Sequence, residues 1–174
     1  LPGMYIAPSN NGNLNPNGYN EKAEQIINNI DVSFQQKEIN QCFYNPAQDK
    51  ITVPFDQYFN SYADRYTTIL HEISHSTMHE SRLNRRQDRF NDEEKDYAFE
   101  ELVAELSAAY LCASCGIEKK ITNNAAYVDS WLKSLHNDKS FFMRASALAE
   151  KSANYVLEKA GLKQSQEEKA EATE

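Results

Sequence analysis

The pentapeptide His71-Glu72-Ile73-Ser74-His75 restricts what this chain can become more than any other feature. It lies within 62–80, where the spacing of apolar residues predicts a helix, and on a helix residues i and i+4 are separated by about 40° and one turn. Both imidazoles therefore leave the same face and can reach one Zn²⁺. Glu72 lies about 100° round from His71, beside such an ion rather than on it. Tyr66, Ile69, Leu70 and Ile73 gather on the opposite side, giving the helix a core face and a separate histidine face. The plainer alternative, two histidines on the polar side of a surface helix, requires an uncommon coincidence in so short a chain.

His79 continues the i, i+4 series. On a straight helix it sits about 12 Å along the axis from His71, too far for three imidazoles to share an ion with bonds of about 2.0–2.1 Å. It is expected to be a helix-end residue or a partner behind a ligand. The position six residues after His75, where an extended H-E-x-x-H-x-x-G-x-x-H site would carry its third histidine, is Ser81. A third protein ligand has to come from elsewhere.

The segment Tyr97–Leu106 carries three glutamates on a second predicted helix. Its projection puts Phe99, Leu102, Val103, Leu106 and Tyr110 on a face of large residues, while Asp96, Glu100, Ser107 and Ser114 share a polar side. Glu100 is accordingly expected to be solvated. Glu101 and Glu105 fall on a stripe with Ala98, Ala104, Ala108 and Cys112, where small residues let another helix approach closely. Interior carboxylates need partners. An ion held by His71 and His75 supplies one, with one glutamate coordinating and the other orienting a ligand imidazole through its second nitrogen. A buried salt bridge to Arg or Lys is the alternative. Glu101, nearer the centre of the stripe, is the first choice as ligand; Glu105 is the second.

The remaining chain frames these two helices. Its 174 residues are the length of one domain. Residues 1–20, dense in Asn, Gly and Pro, read as an irregular segment, 21–161 as the folded domain, and 162–174 as a charged, disordered tail. EKAEQIINNI (21–30) has near-helical spacing. Cys42–Tyr44 and Ile51–Val53 read as strands of a hairpin, with Asn45, Pro46 and Asp49 as turn formers and Pro54 as the stop. Further helices are expected near 94–115, 124–136 and 139–160, with Gly116 and Gly161 ending the first and the last of these. The fold class is α+β, predominantly helical, with a small hairpin or sheet before the histidine helix.

Charge narrows the partners. Eighteen Lys+Arg against 26 Asp+Glu leave −8, the wrong sign for holding phosphates by bulk attraction. No apolar run approaches the roughly 20 residues that span a bilayer. Three cysteines are too few for a disulfide framework, which fits a reducing compartment. Cys112 and Cys115 lie at a helix C-terminus, where the dipole disfavours thiolate, so packing is the expected role. Arg82, Arg85, Arg86 and Arg89, offset by Asp88, Asp92, Glu93 and Glu94, are expected to form a solvated mixed-charge loop. Trp131, Leu132 and Leu135 are spaced as a core stripe.

Three segments together resemble a known family: TTILHEISHSTMHESRLNR, YAFEELVAELSAAYLC and AAYVDSWLKSLHNDKSFFMRASALAEKSANYVL. In order and spacing, over roughly residues 22–160, they are similar to the C-terminal zincin-like metallopeptidase domain of ArdC-type antirestriction proteins, with related domains in phage polyvalent proteins. The resemblance implies a zincin-like fold and a gluzincin-like site, in which the third ligand is a Glu followed four residues later by an acidic residue. That pattern falls on Glu101 and Glu105. It also implies a cytoplasmic protein of mobile elements that protects incoming DNA, whose full-length relatives carry an N-terminal domain binding single-stranded DNA. Nothing in this chain corresponds to that domain, and the start at Leu1 leaves room for a preceding region.

The functional expectation is a zinc metallopeptidase with one Zn²⁺ per chain on His71, His75 and Glu101, Glu72 as general base, and Glu105 behind a ligand. Its substrate is a peptide or protein that can lie along the hairpin edge; neither nucleic acid nor membrane is bound by this segment. Tyr44, Tyr97, Tyr127 and His136 are candidate helper donors. The rival is a non-catalytic, metal-stabilised protein-interaction module, and a metal-free scaffold is a third reading. Glu72 favours the enzyme, because a purely structural site has no use for it and normally closes with a fourth protein ligand.

Overall fold

In the computed structural model, which describes residues 4–5, 14, 16–85, 90–118 and 125–163, the histidine helix is wedged between a small sheet and a longer helix. The elements are β1 (Met4–Tyr5), α1 (Glu21–Asn29), β2 (Ser33–Lys37), β3 (Gln41–Asn45), β4 (Lys50–Pro54), α2 (Tyr62–Ser76), α3 (Glu93–Cys115), α4 (Ala125–Asn137) and α5 (Ser140–Lys159). Side chains set the helix starts: Asn20, Ser61 and Asp92 each accept a hydrogen bond from the backbone N–H three residues on, capping α1, α2 and α3. Gly116 ends α3 in the left-handed conformation, with φ 71°.

The expected hairpin is present. β3 and β4 pair antiparallel with Tyr44 opposite Ile51, and the Asn45 side chain accepts from the N–H groups of Ala47 and Gln48 in the turn. The sheet is larger than the two strands expected, with order β1-β3-β4-β2. β2 runs parallel to β4; its sequence SFQQK is an exposed edge with no apolar alternation to betray it. β1, inside the segment expected to be irregular, pairs antiparallel with β3 through Met4 and Tyr5. The rest of that segment lies largely outside the described residues, as does the tail from 164 on.

Helix α2 stops at Ser76, four residues before the expected end. The hydroxyls of Ser74, Ser76 and Thr77 donate to the carbonyls of Leu70, Ile73 and Ser74, offering the last turn an alternative to the helical ladder. Two arginines from the following segment take the freed carbonyls: Arg82 Nε donates to Ser76 O at 2.7 Å and Arg85 Nη2 to Ser74 O at 3.2 Å.

One apolar cluster joins α1, the sheet, α2 and the C-terminal parts of α3 and α5, with Ile26, Tyr44, Ile51, Phe59, Tyr66, Ile69, Leu70, Ile73, Leu111 and Val156 buried. A second holds Phe99, Leu102, Val103, Phe141, Ala145 and Ala149, where Phe99 and Phe141 meet edge to face at 5.0 Å. Trp131 packs there and its indole donates to Ala98 O at 2.7 Å. Leu132 does not join it and is 58% exposed, because it sits one residue, about 100°, round α4; the side chain of Leu135 lies outside the described set. Cys42, Cys112 and Cys115 form no disulfide and are buried, as expected of packing residues. Among the described residues no helix is long and apolar enough to cross a membrane.

Candidate metal centre

Helix α2 presents His71, Glu72 and His75 toward α3, which presents Glu100, Glu101 and Glu105; all but Glu105 are buried. The two imidazoles meet edge to face, with Nε2 of His71 and Nε2 of His75 3.1 Å apart. Glu101 closes the triangle, Oε1 lying 3.3 Å from His75 Nε2 and Oε2 3.7 Å from His71 Nε2. Among the described residues, these three side chains bring potential ligand atoms within 4.8 Å of one another.

That geometry fits an ion. A tetrahedral Zn²⁺ with bonds of about 2.05 Å keeps its ligand atoms about 3.3 Å apart, close to the separations between the three side chains. Two buried imidazole nitrogens and a carboxylate facing one point also need a cation or proton among them, since their lone pairs otherwise repel.

The other carboxylates surround this triangle. Glu105 Oε1 lies 3.3 Å from His71 Nδ1, the nitrogen facing away from the triangle. Glu72 is buried and its Oε2 accepts the backbone N–H of Tyr44, on β3, at 2.8 Å. Burial pushes the Glu72 carboxyl above its ordinary range, against the lowering effect of both histidines and of the Tyr44 N–H. Burial also opposes charge on His75, but the carboxylates of Glu100 and Glu101 outweigh it and push the imidazole up to about 10. Glu101 is drawn the other way: despite burial, the two histidines hold its carboxyl well below the usual carboxylate range.

Glu100 corrects the expectation. It is not solvated but 7% exposed, because the polar side of α3 faces the segment following α2 rather than water. Its Oε1 lies 3.5 Å from His75 Nδ1, and Arg85 binds both carboxylate oxygens, through Nη2 at 2.5 Å and Nε at 3.3 Å. Despite burial, this arginine and His75 keep the Glu100 carboxyl below its ordinary range. The buried salt bridge weighed as an alternative for Glu101 thus belongs to its neighbour.

The arginine loop is corrected with it. Arg85 is buried, as is the side chain of Arg82, bound to Asp49, to Asp31 O and to Ser76 O; Arg86 and Arg89 lie outside the described residues. His79 sits beyond the end of α2, its Nδ1 2.8 Å from Ser81 Oγ, and is not part of the triangle. Of the helper candidates, Tyr44 donates its hydroxyl to Asp49 at 2.9 Å, so its backbone rather than its side chain serves the site. His136 is exposed and Tyr97 half-buried; the side chain of Tyr127 lies outside the described set.

A family described as zincin-like metallopeptidase matches residues 21–148. The chain belongs to that family. Two proteins named DNA primase TraC from Escherichia coli are 38% and 35% identical to this zincin-like chain over 138 residues, 79% of it in each case but only 13% and 9% of their own length. The protein y4eC of Sinorhizobium fredii is 27% identical over 138 residues, 44% of its length. Two crystal structures of the antirestriction protein ArdC from the R388 plasmid share the fold. The metal-free one has a TM-score of 0.75 at 34% identity, covering 91% of this chain and 56% of that one. The Mn(II)-bound one has a TM-score of 0.76 at 36% identity, covering 87% and 57%. The zincin-like chain therefore spans about half the length of ArdC and less of the curated relatives.

Proposed function

We propose that this domain is a zinc-dependent metallopeptidase of a cytoplasmic, antirestriction-type protein, with His71, His75 and Glu101 holding one Zn²⁺ per chain and Glu105 steadying His71. The observation that carries the reading is the placing of Glu72, a buried carboxylate beside the histidine pair, tethered by a backbone N–H of a strand. A structural metal site has no use for that group.

The ion, when bound, supplies Lewis acidity, making a water molecule acidic near neutrality and polarising a scissile carbonyl. Glu72 takes a proton from the attacking water and returns it to the leaving amine as the C–N bond breaks. Its raised pKa suits a group that both accepts and releases a proton. The Tyr44 N–H keeps the carboxylate from turning away, while Glu105, against His71 Nδ1, favours the tautomer that leaves Nε2 free for the ion. The acidic balance of −8 supports a peptide or protein substrate over a nucleic acid.

The test is metal analysis of the purified chain joined to a peptide-library cleavage assay with wild type and Glu72→Gln. Stoichiometric metal in both, with cleavage by wild type alone, supports the peptidase. Metal in both without any cleavage favours the non-catalytic interaction module, and absence of metal from the wild type removes the centre.

A further inference from the structure

We propose that Arg85 and Glu100 form a positioning pair that fixes the ring of His75, so that the affinity of the centre for its ion depends on an arginine that touches neither the ion nor a ligand. The inference rests on the metal-centre reading given above.

His75 Nδ1 is buried and lacks a hydrogen bond of ordinary length, with Glu100 Oε1 at ion-pair distance, 3.5 Å. Glu100 serves that nitrogen only while its carboxylate is turned toward it. Arg85 holds it there by gripping the two carboxylate oxygens in a fork. Arg85 is itself held from three directions: by Glu100, by Ser74 O on the last turn of α2, and by the hydroxyl of Thr77. Thr77 Oγ1 in turn meets Ser152 Oγ of α5 at 2.8 Å, and Ser152 meets Ser107 Oγ of α3 at 2.9 Å. A buried chain of polar groups thus runs from α5 to the back of one histidine.

Stability alone gives little reason for such a pair, since a buried ion pair is often no better than well-packed apolar residues of the same volume. Orientation gives a reason. A carboxylate on the outer nitrogen of a ligating imidazole sets its tautomer and rotation and raises its basicity. With Glu105 behind His71 and Glu100 behind His75, α3 backs both imidazoles, from the residue before Glu101 and from the fourth residue after it. The two differ in what supports them, because Glu100 has Arg85 locked onto it from the segment after α2.

The experiment is Co(II) titration of the full chain against a competing chelator, read by the visible absorption of the bound ion, alongside the melting temperature of each metal-free variant. Glu100→Gln and Arg85→Met should each weaken Co(II) binding by about 10–100-fold and alter the Co(II) spectrum. Because Arg85 acts through Glu100, the double variant should bind no more than about threefold worse than Glu100→Gln alone, whereas independent effects would multiply. Arg85→Lys should recover part of the loss. Val156→Ala, in the apolar core and outside this chain of polar groups, should lower the melting temperature and leave Co(II) affinity unchanged, separating orientation from packing. If leaving one charge unpaired prevents folding, the double variant, which removes both, carries the test and should still show the loss. Wild-type affinity in Glu100→Gln or in the folded double variant, or fully multiplicative losses, would overturn the pair while leaving the metal centre standing. A wild-type chain that takes up no Co(II) overturns the centre and this inference together.

Discussion

The backbone N–H of Tyr44 points across from strand β3 to Oε2 of Glu72, 2.8 Å away, so a sheet donor holds the acidic residue that lies between the two histidines in sequence. Glu72 is buried and its carboxyl is raised by that burial. An acid whose folded pKa is raised favours the fold while protonated, and that advantage fades as pH climbs above its ordinary value of 4.5. At neutral pH the ionised group therefore weakens the metal-free fold. Glu72→Gln should keep metal content, reduce peptide hydrolysis by about 10²–10⁴-fold and raise the metal-free melting temperature by a few degrees. Calorimetry and a peptidase assay on the same preparation check both halves; a lower melting temperature would contradict the stability argument.

The triangle makes unequal demands on the glutamates of α3. Glu101 faces Nε2 of both histidines, whereas Glu105 stands behind His71. Glu101→Ala is expected to weaken metal binding more than about 100-fold and Glu105→Ala by about 10–100-fold. Competition with a chelator of known affinity measures both, and the reverse order would exchange the two roles.

His75 in the metal-free chain has its pKa raised from 6.5 to about 10. The stability it contributes is complete below pH 6.5 and is lost as pH rises through about 10. Glu101, lowered, contributes stability above 4.5 that is lost as pH falls through its folded pKa. An ion has to displace the His75 proton, so metal affinity should increase between pH 6.5 and 10 while metal-free stability declines. Titration calorimetry at pH 8 in two buffers of different ionisation enthalpy should show about one proton released per ion. Uptake without proton release would contradict the charged His75.

Arg82 fastens the segment after α2 to the hairpin turn through Asp49, to the end of α2 through Ser76 O and to the connection between α1 and β2 through Asp31 O. Its side chain is 1% exposed, that of Asp49 30%. Arg82→Met should therefore cost about 2 kcal/mol, below the value for a fully buried pair. Arg144→Met, which breaks an exposed pair with Asp138, should leave the urea midpoint nearly unchanged. Equal midpoint shifts in the two variants would refute this ranking.

Glu100 and Glu101 show where reading along the chain succeeds and where it stops. Both belong to one helix whose boundaries follow from Asp92 and Gly116. The small-residue stripe placed Glu101 in the interior, where it lies. The same projection placed Glu100 in water, because a polar side is assigned to solvent unless something covers it. What covers it is Arg85, fifteen residues earlier, and no local period reports that meeting. β2 carries no periodic signal for a related reason: an exposed edge strand takes its conformation from hydrogen bonds to β4, not from its own side chains.

The sequence by itself determined that two imidazoles share one helix face with an acidic residue beside them, since 3.6 residues per turn is a local property of the backbone. It also determined the hairpin and the helix starts, which are set by neighbours within a few residues. Only the tertiary structure decided which carboxylates meet those imidazoles, that Glu72 is tethered by Tyr44, and that Glu100 and Arg85 are buried together. A helical projection gives the angle of a side chain about its axis; what stands opposite that angle is settled by the packing of distant segments.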